Sequence, residues 1–250
     1  MRRTLFAIVS ALPFLAGCVD VEQTSQTNNR PTSPAPVQTG ESGDAAAERI
    51  AAKNPHLIPA RRGSRHYKTV LARIEPVAEA ECRARGVSRC DFAFLEDINP
   101  EAPVNAFQTR DGNQPVVIIT RSLLNDVRDP HQIAFIIGHE TSHHIQNHLP
   151  RQQRNAQAGA IFGAILANQI GINVNDGAQI GGFFGSRSYS QNFELEADSL
   201  GARITHNAGY DPVKGIQFFA RGSNGRQPIF ATHPPDAKRI ENVEAVAAGL

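Results

Sequence analysis

The run His139-Glu140-Thr141-Ser142-His143 constrains the fold more than any other feature of the chain, because it fits a helix that holds a metal ion. Residues four apart share one face of a helix, so both imidazoles can bind a single ion. The glutamate lies about 100° further round the helix, where it can reach a water on that ion without being a third ligand. This layout is typical of a hydrolytic zinc site with two histidine ligands, one carboxylate base and an open position.

The surroundings of the motif favour this interpretation over two ordinary histidines on an ordinary helix. Asp129 and Pro130 are typical of a helix start, and Pro150 is predicted to mark its end. Residues 133–137 are mostly apolar, which predicts a buried helix. Buried histidines beside a buried glutamate need partners, and a metal ion would provide one.

The residues just after the motif do not supply a third histidine ligand in the compact pattern His-Glu-x-x-His-x-x-Gly-x-x-His. That pattern requires glycine and histidine where the chain has Gln146 and Leu149. His144 and His148 are also four apart, but they lie on other faces of the helix than the motif pair. Near a helix C-terminus, such histidines are predicted to face solvent or to cap the helix.

A glutamate on a later helix is the next candidate for the third ligand. Residues 190–208 are predicted to be helical, and Glu194 and Asp198 share a face within them. Glu194 can bind the metal, and Asp198 can accept a hydrogen bond from the far nitrogen of a ligating histidine. Glu196 lies on the other side of this helix and is the weaker candidate. The alternative for Glu194 and for Glu196 is an ordinary glutamate on the surface of a charged helix.

Four segments, in this order along the chain, resemble the HtpX-like and CAAX-prenyl-protease-like zinc metallopeptidases, a branch of the glutamate-zincins. Residues 139–143 and 194–198 carry the two metal motifs. Residues 104–107, Val-Asn-Ala-Phe, resemble that family's strand beside the cleft. Residues 232–240 are similar to the family's Thr-His-Pro…Arg-Ile segment. The resemblance covers about residues 65–245.

The resemblance implies a zinc-dependent endopeptidase with one Zn²⁺ per chain and unfolded or misfolded polypeptides as substrates. It makes Glu194 the third ligand and Glu140 the general base. It makes Asp198 the partner of a ligating histidine, and it puts His233 and Arg239 in a C-terminal segment near the cleft. The alternative function is a periplasmic chaperone or assembly factor, in which the zinc site is structural or latent.

Three residues are candidates to stabilise the oxyanion, and the sequence does not choose between His206, Arg239 and His233. His206 is predicted to be a helix-end histidine, because it follows Glu194 by more than three turns. His233 has a second possible role, which is to occupy the open zinc position and keep the enzyme latent. The strand near 104–109 is predicted either to pair with an extended substrate or simply to complete the sheet.

The first 18 residues are typical of a bacterial lipoprotein leader. Arg2 and Arg3 precede a mostly apolar run that is too short for a stable membrane span. Residues 15–18, Leu-Ala-Gly-Cys, resemble the lipoprotein cleavage box, which predicts lipidation of Cys18; an ordinary signal peptide that contains a cysteine is the alternative. Val19 follows this cysteine where aspartate would favour the inner membrane, so the resemblance implies a lipid-anchored, periplasmic protein at the outer membrane.

The predicted domain organisation has three parts. A signal peptide covers 1–17, a lipid-anchored flexible linker covers the polar residues 18–47, and a metallopeptidase domain covers 48–250. About 200 residues suffice for one domain with its own core. The formal net charge is +1, which gives no indication of a nucleic-acid partner, and the sequence does not indicate an oligomeric state.

Cys82 and Cys90 remain once the lipidation cysteine is set aside. In an exported domain such a pair is predicted to form a disulfide that ties a helix end to the following strand. They are poor candidates for zinc ligands, because no histidine or second cysteine pair accompanies them.

The predicted fold class is α+β, mainly α: a zincin-like metallopeptidase domain with a small antiparallel sheet beside the motif helix. Strands are predicted at 91–96, 104–109 and 116–120. Helices are predicted over 65–85, 122–127, 130–148, 190–208, 211–221 and 235–248, with a further long helical region after the motif helix.

Overall fold

The structure is a computed structural model that describes residues 40–170, 173–175, 190–220, 229, 233 and 236–250. The predicted signal peptide 1–17, Cys18 and residues 19–39 of the predicted linker lie outside the described residues. Within the described part of the chain, no helix combines the length and apolar character that a membrane crossing needs.

The described residues are mainly helical with one small sheet, which confirms the predicted class. The helices are α1 (Gly43–Ala51), α2 (Arg65–Ala84), α3 (Arg121–Asp126), α4 (Pro130–Ile145), α5 (His148–Ile170), α6 (Ser190–Asn207), α7 (Pro212–Ala220) and α8 (Ala237–Ala247). The strands are β1 (Leu57–Pro59), β2 (Ala93–Asp97), β3 (Ala106–Asp111) and β4 (Gln114–Thr120).

The sheet is mixed, whereas the sequence predicted an antiparallel one. Its order is β1-β2-β4-β3, so β4 lies between β2 and the edge strand β3. The pairs β1–β2 and β3–β4 are antiparallel, but β2 and β4 are parallel. The chain leaves β2, forms β3 at the edge and returns through a tight turn, in which Gly112 has a φ of 59°. Because β4 then pairs with β2, the inner pair is parallel.

Helix α4 runs through the core and is held at its start by the predicted cap. The Asp129 side chain accepts a hydrogen bond from the backbone N–H of His131, and Pro130 occupies the first turn. Every residue of α4 from Gln132 onward is buried. The helix ends at Ile145, a turn follows in which Asn147 has a φ of 56°, and Pro150 lies in the first turn of α5. The prediction that Pro150 ends the motif helix was therefore wrong, because proline is tolerated in a first helical turn.

Two glycines allow α6 to pack against α4 at the motif. A Cβ at Gly138 would lie 2.9 Å from the carbonyl oxygen of Gly201, and a Cβ at Gly201 would lie 2.9 Å from the backbone nitrogen of His139. Real Cβ atoms do not approach backbone atoms so closely, so any larger residue would push the helices apart. This contact brings the acidic residues of α6 next to the motif histidines.

Helix α1 begins inside the range predicted as linker. The Ser42 side chain caps it, and Ala46 and Ala47 are buried against the sheet residues Ala93 and Leu95. Burial of this short helix contributes to a small second core on the outer face of the sheet. Helix α1 therefore overlaps the end of the range 18–47 that the sequence predicted as linker, because its alanines pack on the sheet.

The structure joins Cys82, near the end of α2, to Cys90, just before β2, in a disulfide. A bond that closes so short a loop is expected to stabilise the fold by about 2–3 kcal/mol through the unfolded state. We expect the Cys82→Ser/Cys90→Ser protein to lose that free energy of unfolding, measured by urea denaturation. A Cys18→Ser background keeps the remaining thiol out of the comparison, and equal unfolding midpoints would contradict the prediction.

Candidate metal centre

Helix α4 brings the motif histidines together on one buried face. His139 Nε2 lies 2.9 Å from His143 Nε2, and the two side chains are 0% and 9% exposed. Glu140 is also buried, and in the described part of the chain neither of its carboxylate oxygens has a hydrogen-bond partner. Two imidazole nitrogens therefore face one point beside an unsatisfied carboxylate, an arrangement that costs free energy unless a ligand joins it.

Helix α6 places Glu194 where the resemblance predicts the third ligand. Its Oε2 lies 3.3 Å from His139 Nε2, and its Oε1 lies 3.4 Å from His143 Nε2. Burial opposes ionisation of Glu194, but the nearby His233 and His139 lower its pKa well below the ordinary value. Burial also lowers the pKa of His139, yet the Glu194 and Asp198 carboxylates outweigh it and raise that pKa to about 9. The carboxylates thus favour a positive charge at the centre of the cluster.

His233 completes the cluster from the C-terminal part of the chain. Its Nδ1 lies 3.1 Å from His139 Nε2 and 3.0 Å from Glu194 Oε2. Its Nε2 lies 3.4 Å from Glu140 Oε1. His139, His143, Glu194 and His233 offer four ligand atoms that all lie within 4.8 Å of one another. Three imidazole nitrogens and one carboxylate oxygen form a donor set that suits tetrahedral zinc.

Asp198 and Arg239 hold His139 from behind. His139 Nδ1 lies 2.9 Å from Asp198 Oδ1, so the ring donates this hydrogen, and in the neutral ring that a metal ion requires the lone pair is then on Nε2. Arg239 donates two hydrogen bonds to Asp198, of 2.6 and 2.7 Å, and lies 3.2 Å from Glu194 Oε2. Both Asp198 and Arg239 are fully buried. The predicted partner of a ligating histidine is in position, and Arg239 reaches both acidic residues of α6.

A second row of hydrogen-bonded side chains, formed by His148, Glu196 and Arg151, holds His143, and the sequence did not predict it. His143 Nδ1 lies 2.9 Å from His148 Nδ1, His148 Nε2 lies 3.1 Å from Glu196 Oε2, and Arg151 donates to the same carboxylate oxygen at 2.7 Å. If His143 keeps its Nε2 lone pair, its Nδ1 donates to His148, which in turn donates to Glu196. The ring of His148 also stacks on Phe193 at 4.6 Å between centroids.

Two histidine predictions are wrong in this region. His144 and His148 were expected to be solvent-facing or capping, yet both are buried. Burial lowers the pKa of each to about 4. His144 donates through Nε2 to the carbonyl of Arg89 at 3.0 Å. The helix break at Asn147 redirects His148 toward His143, and the spacing of the sequence gives no sign of that break. His206 is exposed in the last turn of α6, where it was expected.

The chain matches the model of peptidase family M48 over residues 72–247. It is 32% identical over 165 residues to the beta-barrel assembly-enhancing protease of Escherichia coli K12, which covers 60% of this chain and 33% of that protein. It is 26% identical over 196 residues to the mitochondrial metalloendopeptidase OMA1 of Bos taurus, which covers 71% of this chain and 36% of that protein.

The chain therefore spans about a third of the length of these relatives. The matched residues include both metal motifs and most of the described helices and strands. The predicted relationship to a family of zinc metallopeptidases is thus confirmed. The chain belongs to peptidase family M48.

Proposed function

We propose that the protein is a zinc-dependent endopeptidase that hydrolyses peptide bonds in misfolded or stalled proteins of the bacterial cell envelope. The observation that carries this proposal is the convergence of His139, His143 and Glu194 on one point, with the Glu140 carboxylate, which accepts no hydrogen bond from the described residues, beside it. The family assignment and the donor set both support zinc as the ion, with one ion per chain.

The residues around the cluster have different roles in hydrolysis. A zinc ion held by this donor set would supply Lewis acidity to the scissile carbonyl and to the attacking water. Glu140 accepts the proton of the attacking water and returns it to the leaving nitrogen. Asp198 keeps His139 in the tautomer that presents Nε2, and Arg239 keeps Asp198 ionised.

His233 gives the site a latent arrangement in this proposal. Its Nδ1 joins the three other ligand atoms, so it takes the position that a hydrolytic zinc site leaves open. Substrate binding then requires His233 to withdraw from Glu194 and His139. His233 and Arg239 are the candidates to stabilise the oxyanion after this withdrawal, because both belong to the surroundings of Glu194.

The edge strand β3 is the proposed docking strand for an extended substrate. It ends the described sheet, and it packs beside α4. Backbone hydrogen bonds to such an edge select unfolded chain rather than a particular sequence. We also propose that the leader resembling a lipoprotein signal is removed and that Cys18 anchors the protein by lipid on the periplasmic side of the outer membrane, close to envelope substrates.

A second candidate function is a chaperone or assembly factor with a structural or latent zinc site. The name of the Escherichia coli relative, a beta-barrel assembly-enhancing protease, favours a role in assembly beside proteolysis. The first test is zinc quantification on the full chain, together with cleavage of an unfolded protein with and without a chelator. Hydrolysis that the chelator abolishes and zinc restores supports the endopeptidase; a zinc-loaded protein with no hydrolysis favours the assembly factor.

The row of hydrogen-bonded side chains behind His143 gives a separate prediction. Glu196→Gln weakens the hydrogen bond that orients His148 and, through it, His143. We expect zinc affinity to fall by about 10- to 100-fold, measured by competition with a chromophoric chelator, as is typical of groups that orient metal ligands. Glu244→Gln on the exposed face of α8 is the matched control. Equal affinities of the two variants would show that the Glu196 carboxylate does not help to position the ligand.

A further inference from the structure

A cavity of about 610 Å³ lies beside the C-terminal end of α4, on the side of the helix away from the metal ligands' shared face. Its walls come from the turn after α2, the end of β3, the β3–β4 turn and the last residues of α4. The side chains that line it include Arg89, Arg110, Asn113, His144 and Asn147. No carboxylate of the described residues lines it. The cavity therefore presents hydrogen-bond donors and positive charge.

Two guanidinium groups face this cavity without a carboxylate partner. Neither Arg89 nor Arg110 lies within 4.0 Å of an acidic side chain among the described residues, whereas most other arginines near the sheet form such pairs. Within the described ranges, the acceptors of Arg89 are neutral oxygens, the backbone carbonyl of Glu41 and Gln114 Oε1. In the same ranges, Arg110 makes one hydrogen bond, of 3.5 Å to Asn147 Oδ1.

Both arginines also keep a buried nitrogen unsatisfied. Among the described residues, the Nε atoms of Arg89 and Arg110 have no hydrogen-bond partner. A buried donor without a partner is unfavourable. Both arginine side chains as a whole are only half-buried, so a ligand in the cavity would meet the ends of the guanidinium groups and not the buried Nε atoms. Guanidinium groups bind carboxylates with paired hydrogen bonds, so an anionic oxygen group is the ligand that suits two of them with no carboxylate beside them among the described residues.

His144 belongs to the same wall. Its Nε2 donates to the carbonyl of Arg89, because a carbonyl oxygen can only accept. This hydrogen bond joins the backbone of Arg89 to α4 and so fixes the start of the Arg89 side chain at the cavity.

The cavity also adjoins the proposed substrate path. Arg110 belongs to the edge strand β3, and His144 follows the candidate ligand His143 directly in α4. A polypeptide that pairs with β3 would pass the cavity at the Arg110 end of the strand.

We propose that this cavity, the Arg89–Arg110 pocket, binds a carboxylate of the polypeptide substrate. The peptidase then prefers substrates that carry a carboxylate at the matching position. This inference rests on the proposed endopeptidase function. The carboxylate comes either from an aspartate or glutamate side chain or from the C-terminus of the substrate, and the experiment separates these two sources.

The test uses fluorogenic peptides that differ in one residue. A neutral parent peptide is compared with peptides that carry one glutamate, moved along the positions on both sides of the cleaved bond, and with parents that end in a free acid or an amide. We expect one glutamate position, or the free acid, to raise kcat/KM about tenfold, mainly through KM, which corresponds to about one charge-assisted hydrogen bond. In Arg110→Gln and Arg89→Gln this ratio between acidic and neutral peptides falls toward one.

Arg85→Gln is the matched control, because Arg85 is an exposed arginine that pairs with Glu81 on α2. This variant should keep the ratio between acidic and neutral peptides. Binding of the same labelled peptides to the Glu140→Gln protein, measured by fluorescence anisotropy, reports on the pocket without hydrolysis. An acidic preference in binding but no hydrolysis by the wild-type protein would contradict the proposed function and leave the pocket standing. The pocket is overturned if neither acidic form is preferred, or if the preference survives both arginine substitutions.

Discussion

Glu140→Gln is expected to lower peptide hydrolysis by about 10²- to 10⁴-fold while zinc content and the free energy of unfolding stay close to those of the wild-type protein. The glutamate is buried, and its two oxygens have no hydrogen-bond partner among the described residues. An amide has nearly the same shape, but it cannot accept the proton of the attacking water. The measurement is kcat/KM on an unfolded-protein substrate, with zinc content by mass spectrometry.

The control for this prediction is Glu101→Gln, which changes an exposed glutamate in the loop before β3. It should leave hydrolysis unchanged. If Glu140→Gln protein failed to fold or lost zinc, Glu140 would have a structural role, and the assembly-factor function would gain support. Full activity in the variant would remove Glu140 from the chemistry altogether.

Asp198→Asn is expected to have the largest effect on stability, a loss of about 3–5 kcal/mol in the free energy of unfolding. Asp198 accepts two hydrogen bonds from Arg239, and both side chains are fully buried. Removing the carboxylate takes the closest counterion from a buried guanidinium, and among the described residues the Glu194 carboxylate at 3.2 Å remains beside it. Zinc affinity should also fall by about 10- to 100-fold, because His139 loses the group that fixes its tautomer.

A double variant separates these two effects of Asp198. Replacing Asp198 by leucine and Arg239 by methionine together removes both buried charges, which is often neutral for stability. We expect the double variant to recover much of the lost unfolding free energy but not the zinc affinity. Asp126→Asn, at an exposed position in α3, is the control for the single change. Recovery of both properties would show that Asp198 serves the fold alone.

The motif helix and its partner on α6 could be predicted because their information is local. The cap at Asp129, the four-residue spacing of His139 and His143, and the same spacing of Glu194 and Asp198 each follow from helix geometry. The contact between the two helices also has a local sign in hindsight, the facing glycines Gly138 and Gly201. Neither segment alone predicts that the two helices lie side by side. The resemblance to a known family predicted that contact.

The wrong predictions, for His148 and for the sheet, concern features that depend on where the chain turns. His148 reaches His143 only because α4 ends at Ile145 and Asn147 takes a positive φ, a conformation that the residues around it do not require. The sheet is mixed because β4 inserts next to β2, a pairing choice between distant strands that alternation of apolar residues cannot reveal. Secondary structure was therefore predicted better than its connections.

X-ray absorption at the zinc edge, followed by a crystal structure with anomalous data, would identify the residues that bind the ion. For the full chain loaded with zinc, we expect one ion bound by His139 Nε2, His143 Nε2 and a Glu194 carboxylate oxygen, each at about 2.0–2.2 Å. A Glu194→Ala variant should lose most of this binding. A zinc ion found elsewhere, or one bound by the two histidines while the Glu194 carboxylate stays remote, would contradict the account.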